Sequence, residues 1–358
     1  MSTADYFRRD FLKQLTAALG GATLSPFLSN RSRSRSRPDR TLEPPIAIGS
    51  GFNGEPAVEL AVEMMQDGAD VLDSIVEGVS MQEEDPDDPT VGYGGVPNDQ
   101  GVVQLDAGVM DGRTHRVGAV TTLEDTMYPT KIAQLVLQRT DHAVLSGEGA
   151  QRFARMHGFE ERDLLTDEAR ERWLEWRETL SDEDNYIPPD DDARTTGAKL
   201  FEMDRHHGTI HCSGLDTDGN LASVTSTSGL FFKMPGRIAD SPIAGAGYYT
   251  DNEGGAAGST GRGEANLQNL SSYLIVERMR MGDSPTEACL EACQRIADHT
   301  RIERLLNEDG TPNFNVRFYA VSKDGQVGGA ELRENGAQMV AADAEGIHWI
   351  DLDYLIPA

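Results

Sequence analysis

The run His-His-Gly-Thr-Ile-His-Cys-Ser-Gly at 206–214 places Gly208 directly before Thr209 at the start of a strand-like stretch. Threonine is a weak nucleophile until a nearby base activates it, and its own free α-amine is such a base. The reference pKa of an α-amine is about 8, close to neutral working conditions. That amine exists only if the chain is cut between Gly208 and Thr209. Glycine at 208 tolerates backbone conformations that other residues resist, which suits a strained peptide open to attack by the Thr209 hydroxyl on the Gly208 carbonyl. In isolation, Gly-Thr before a strand is an ordinary strand start, so the surrounding residues carry the weight.

Those surroundings form an ordered series. Asp-Thr-Asp-Gly-Asn (216–220), Thr-Ser-Thr-Ser-Gly (225–229) and Lys-Met-Pro-Gly-Arg-Ile-Ala-Asp-Ser-Pro-Ile-Ala-Gly-Ala-Gly (233–247) follow Thr209, then Asp-Asn-Glu (251–253) and Ser-Thr-Gly-Arg-Gly-Glu (259–264). Upstream lie Asp-Asp-Pro-Thr-Val-Gly-Tyr-Gly-Gly-Val-Pro (87–97) and Leu-Asp-Ala-Gly-Val-Met-Asp (105–111). From about residue 45 to 340 the pattern closely resembles the glycosylasparaginase (aspartylglucosaminidase) family, relatives of plant-type asparaginases.

The resemblance implies an α+β fold, the four-layer αββα sandwich of N-terminal-nucleophile hydrolases. It implies a chain that cuts itself into an α subunit (43–208) and a β subunit (209–358), with an acidic linker at 181–207. Thr209 is then nucleophile and its amine the base, and Thr227 sets a second hydroxyl beside it. Arg237 grips the substrate α-carboxylate, for which a guanidinium fork is suited, and Asp240 meets the α-ammonium. The Thr260 hydroxyl and the Gly261 N–H form the oxyanion hole, and Gly263 lines the amino-acid pocket. The implied reaction is hydrolysis of the β-amide of an asparagine derivative through a β-aspartyl ester, with N4-(β-N-acetylglucosaminyl)-L-asparagine as first substrate. L-asparaginase or isoaspartyl dipeptidase activity is the alternative, and a catalytically silent exported binding protein is a third reading. No cofactor is implied, and the family suggests a homodimer of αβ units.

The resemblance departs at Ser50–Gly54, where the family carries a Trp after its first strand; Phe52 takes that place in a shorter loop, leaving sugar-side specificity open. Without the motif, Arg237 and Asp240 read as a surface ion pair, Thr225 and Thr227 as a polar strand face, and Gly261 and Gly263 as turn glycines. His206, His207, His211 and Cys212 cluster in sequence but meet no metal-ligand spacing; no metal is expected, and His206 is assigned to shaping the scissile bond.

The elements that must position these groups follow from periodicity. Helices are expected at 57–66, 70–83, 129–138, 166–180 (capped by Thr166), 264–281 and 285–298, the last with a Ser284/Glu287 capping box. Strands are expected at 45–51, 101–110 paired with 117–122, 209–215, 221–226, and a final hairpin of 314–322 and 326–333. Residues 181–195 lose all periodicity.

The 358 residues carry a net charge of −28. Residues 1–40 contribute +5, so the remainder carries −33. Such a surface weighs against nucleic-acid binding, which needs a basic face, and fits salt adaptation. Cys212, Cys289 and Cys293 give no disulfide framework and read as core filler. No apolar run is long enough for a membrane span. Phe-Arg-Arg-Asp-Phe-Leu-Lys at 7–13, followed by a modestly apolar Leu15–Leu28, resembles a twin-arginine export signal. Residues 1–42, including the Ser-Arg repeat at 30–37, are accordingly set outside the fold as signal and linker. Export is the expected location, and the cytoplasm if this segment is not a signal.

Overall fold

The computed structural model describes residues 39–51, 53–180 and 207–358. The signal-like motif at 7–13, Phe52, His206 and nearly all of the acidic 181–207 stretch lie outside the described residues.

Strands β1 (Arg40–Thr41), β2 (Ile46–Ser50), β3 (Leu105–Asp111), β4 (Arg116–Leu123), β5 (Val144–Ser146), β6 (His207–Leu215) and β7 (Leu221–Leu230) form the first run. They are followed by β8 (Tyr248–Asp251), β9 (Gly255–Gly261), β10 (Val316–Ser322), β11 (Gln326–Arg333), β12 (Gln338–Asp343), β13 (Gly346–Asp351) and β14 (Asp353–Ile356). The helices are α1 (Glu55–Gln66), α2 (Val71–Glu84), α3 (Pro129–Arg139), α4 (Gly147–Met156), α5 (Asp167–Glu178), α6 (Gly263–Leu267), α7 (Ser271–Arg280) and α8 (Pro285–His299).

Among the described residues the strands make two sheets. One runs β13-β12-β2-β6-β7-β3-β4-β5; the other runs β1-β11-β10-β9-β8, with β14 also on β11. Pairing is antiparallel except at β4/β5 and β11/β14. Alternation along β6 sorts its side chains. Ile210 and Cys212 join the core beneath α1, α2 and α3, with Val58, Ile75 and Ile132. Leu215, Ile46 and Ile48 instead meet Tyr319, Val321 and Val327 of the other sheet. That second sheet packs Phe318 and Ala320 against Ile275 of α7 and Ile296 of α8. Burying each such aliphatic side chain contributes ~1.5–3 kcal/mol, which makes these three apolar layers the main source of stability.

The helix ends follow their cap chemistry. Asp70 accepts from Leu72 N, Thr166 from Ala169 N, and the Ser284/Glu287 capping box closes in both directions. Several expectations need correction. The 264–281 helix is two helices, because Leu270 turns left-handed with φ 48° between α6 and α7. Residues 101–104 precede β3 rather than belong to it. The 314–333 hairpin is not the last, since β12, β13 and β14 follow. The fold also reaches back into the segment set aside as linker: Arg40 pairs with Val327, Leu42 is buried, and Asp39 Oδ2 accepts from Thr286 N.

Strands β8 and β9 escaped notice because Gly-Ala-Ala-Gly-Ser-Thr-Gly has little intrinsic strand preference. Gly258 among its glycines serves the contact between sheets. A Cβ on Gly258 would lie 2.0 Å from the His211 ring, and burial pushes that ring down to about 3, so it stays neutral. Gly258→Ala is therefore expected to cost about 1–3 kcal/mol through overpacking. Gly149→Ala, where a Cβ meets nothing within 4 Å, should be neutral or stabilising. Thermal unfolding of the two variants checks this; equal melting temperatures would contradict the tight inter-sheet fit.

Candidate active site

The β6–β7 hairpin positions Gly208 and Thr209. Its turn is held by Asp216, whose Oδ1 accepts from Asp218 N and Asn220 N. Register then runs evenly until Gly208 pairs with Gly229 while Ile210 pairs with Ser226, so Thr227 and Ser228 both oppose Thr209. This bulge re-aims the side chains around it. One consequence is direct: the Thr227 hydroxyl donates to the Gly208 carbonyl at 2.6 Å. Gly229 N in turn donates to Thr227 Oγ1 at 2.8 Å, which fixes the hydroxyl as a donor toward Gly208.

Gly208 does not occupy the left-handed region, so conformational freedom is not what glycine supplies here. Space is. A Cβ would lie 2.3 Å from Thr90 Cβ. Thr90 is pinned by Asp88, which accepts from its amide at 2.8 Å and its hydroxyl at 2.6 Å. Asp88 is braced by Asn53 and Gln82. The acidic loop after α2 thus forms one wall of the site.

Thr209 is half-buried, and its Oγ1 lies 3.4 Å from Ser241 Oγ. Ser241 O accepts from Thr225 Oγ1 at 2.9 Å, tying the 233–247 segment to β7. Next to it, Asp240 Oδ2 accepts from Ser259 Oγ at 2.8 Å and Asn266 Nδ2 at 2.7 Å. Burial raises the Asp240 pKa, and these hydrogen bonds work against that rise. Gly263 presses on the same carboxylate: a Cβ there would lie 2.2 Å from Asp240 Oδ1. Thr260 Oγ1 lies 2.8 Å from the Tyr319 hydroxyl, and Gly261 has φ 111°, a conformation that favours glycine.

Arg237 and Asp240 are not a surface ion pair. Arg237 Nε and Nη2 both donate to one oxygen of Glu264, at 2.9 and 2.7 Å. Burial would raise the Glu264 pKa, but the Arg237 charge and hydrogen bonds outweigh it and hold the carboxyl low. The Nη1 edge faces Gly229, where a Cβ would sit 3.3 Å away. Behind it lies a buried Lys233–Asp106 pair at 3.6 Å, with Lys233 Nζ also donating to Gln104 O. Burial and the neighbouring Arg237 draw the Lys233 pKa down, and Asp106 opposes them. Two cations therefore converge in a strongly acidic protein.

Thr209, Thr227, Arg237, Asp240, Thr260, Gly261 and Gly263 thus lie on β6, β7, β9, the 233–247 segment and the start of α6, which the contacts above tie together. Phe52 and His206 lie outside the described residues. His211 and Cys212 point to opposite faces of β6, and no metal-holding cluster exists among the described residues. Sequence reasoning missed Thr90, Ser241, Glu264 and Tyr319. Thr90, Ser241 and Glu264 lay inside the quoted runs, and only their partners give them a role.

The chain is similar to known proteins over most of its length. A family model described as Asparaginase matches residues 53–305. An N(4)-(beta-N-acetylglucosaminyl)-L-asparaginase of Elizabethkingia miricola is 35% identical over 341 residues, covering 95% of this chain and 93% of its own. The like-named protein of Rattus norvegicus is 40% identical over 255 residues (67% and 74%), and that of Mus musculus 36% over 289 (76% and 80%).

A buried carboxyl steadies the site from behind. Glu83 accepts from Ser226 Oγ at 2.6 Å and from the Thr130 amide and hydroxyl. Burial pushes it up to about 7 from 4.5, against the pull of these bonds. Its contribution to stability is full below the unfolded value and is lost as pH rises through about 7. His211 works oppositely, contributing above 6.5 and losing that contribution as pH falls toward about 3. Glu83→Gln should remove the first effect alone. The melting-temperature advantage of the wild type over this variant is expected to grow as pH drops from about 7.5 to about 5. A difference that is constant with pH would contradict a Glu83 protonated in the fold.

Proposed function

The chain belongs to the asparaginase family of amidohydrolases, and on that premise we propose that it is a self-processing enzyme that hydrolyses the β-amide of asparagine derivatives with Thr209 as nucleophile. Its fold reads as a four-layer αββα sandwich, in keeping with helices on the outer side of each sheet and apolar side chains between the sheets.

The observation that carries the reading is the Thr227 hydroxyl on the Gly208 carbonyl. When Thr209 Oγ adds to the Gly208 carbonyl carbon, negative charge grows on the oxygen that Thr227 already hydrogen-bonds, so the stabilising donor is in place beforehand. A C–O bond forms, the Gly208–Thr209 C–N bond breaks, and the hydroxyl proton ends on the new amine. Water then hydrolyses the ester, leaving a Gly208 carboxylate and a free Thr209 amine. In turnover that amine takes the Thr209 hydroxyl proton. Arg237, held by Glu264, receives the substrate α-carboxylate; Asp240 receives the α-ammonium; and Thr260 Oγ1 with Gly261 N–H holds the oxyanion. The amide's nitrogen fragment leaves, and water releases aspartate from the β-aspartyl ester. A zwitterionic amino-acid end suits a protein of charge −28, because it carries no net charge to be repelled.

The relatives are named for N4-(β-N-acetylglucosaminyl)-L-asparagine, and this is the first substrate proposed. The departure at Ser50–Gly54 favours free asparagine or β-aspartyl peptides as the second. The twin-arginine motif supports export, and a homodimer of αβ units is the proposed assembly; no helix among the described residues is long and apolar enough to cross a membrane.

Aspartate release from the three substrates by purified protein tests the reading. The glycosylated amide is expected to turn over fastest, and turnover of none of the three would overturn the proposal. Thr227→Val should slow self-cleavage by about 10²–10³-fold, the usual effect of losing one oxyanion donor. Cleavage at the wild-type rate, followed on denaturing gels, would remove Thr227 from the mechanism.

A further inference from the structure

Thr260 stands in the proposed oxyanion hole, yet its hydroxyl has only one hydrogen. To serve there, that hydrogen must point at the substrate. The Tyr319 hydroxyl lies 2.8 Å from Thr260 Oγ1, and geometry alone allows either oxygen to donate. Burial decides the direction. Tyr319 is 2% exposed, on β10, with its backbone opposite Gly258 of β9. Its ring lies parallel to that of His211, 6.3 Å away and tilted by 10°, and His211 Nε2 is itself held 2.9 Å from Ser213 Oγ. The phenol is therefore locked in position. Among the described residues Thr260 is the hydrogen-bond partner found for it. A buried phenol hydrogen with no acceptor is costly. A phenol is also the more acidic of the two groups and the better donor. Burial keeps it protonated by raising its pKa, against the pull of the Arg317 charge.

We propose that Tyr319 is a positioning residue of the hydrolysis: it donates its phenolic hydrogen to Thr260 Oγ1, which frees and aims the Thr260 hydrogen at the oxyanion that forms when Thr209 adds to the substrate carbonyl. The chain Tyr319→Thr260→oxyanion also polarises in one direction, so accepting from Tyr319 makes Thr260 a stronger donor. Tyr319 itself touches no reacting atom. The effect is confined to the transition state, since the ground-state carbonyl carries little charge. This inference rests on Thr260 being an oxyanion donor.

The test uses mature, processed protein and whichever amide it hydrolyses. Tyr319→Phe should lower kcat about tenfold while KM stays within about twofold, because only transition-state binding is lost. Thr260→Val should lower kcat by at least about 100-fold. The double variant should be no worse than Thr260→Val alone, because the phenol acts only through Thr260. Should the Phe side chain disturb folding, p-aminophenylalanine at 319 keeps the ring and a donor and should retain at least about a third of wild-type kcat. Full activity in Thr260→Val would remove the oxyanion reading on which the inference stands. A crippled Thr260→Val beside a fully active Tyr319→Phe would overturn the inference alone. So would a further tenfold loss in the double variant, which marks a structural effect, or a p-aminophenylalanine variant as slow as Phe.

Discussion

A hydroxyl hydrogen bond to one peptide carbonyl, Thr227 to Gly208, is the contact around which this molecule is arranged. It requires a hairpin that delivers both residues to the same place and a bulge that turns Thr227 toward the partner strand. It also requires a wall that leaves room for a hydrogen and not a methyl group at position 208. The wall is Thr90, and the chain of Asp88, Asn53 and Gln82 that holds it lies on the helical side of the sheet. In the proposed self-cleavage, the peptide bond held between this donor and this wall is the one that Thr209 attacks.

Electrostatics complete the arrangement. The protein is strongly acidic, yet Arg237 and Lys233 are gathered beside β7 against Glu264 and Asp106. Burying an ion pair rarely adds stability, since desolvation offsets the attraction. Its presence here is better explained by placement. The pairs fix where a guanidinium edge points, and Glu264 takes the Nε/Nη2 edge while Nη1 faces Gly229. The neutral, buried His211 and the protonated Tyr319 belong to the same economy of charge, supplying shape and hydrogen-bond direction without adding a buried ion.

Much of the site was legible in the sequence because its residues are close in the chain. Thr209, Thr227, Arg237, Asp240, Thr260 and Gly261 fall within one stretch of strongly patterned runs. Residues that act through tertiary contact were not. Nothing local marks Thr90 as the wall against Gly208, or Tyr319 as the partner of Thr260, because their partners lie 118 and 59 positions away in the chain. The reason given for Gly208 also changed, from backbone freedom to lack of space. Helices with clear apolar periodicity and caps appeared where expected, α2 and α8 among them. Helix α4, whose first turn contains two glycines, and the glycine-rich β9 did not stand out, because packing overrides their weak propensities.

The most direct test is the covalent state of the purified protein. Intact mass and amino-terminal sequencing should find two chains, one ending at Gly208 and one beginning at Thr209, and Thr209→Ala should remain a single inactive chain. A wild-type protein that hydrolyses asparagine amides while its Gly208–Thr209 bond stays whole would contradict the central claim.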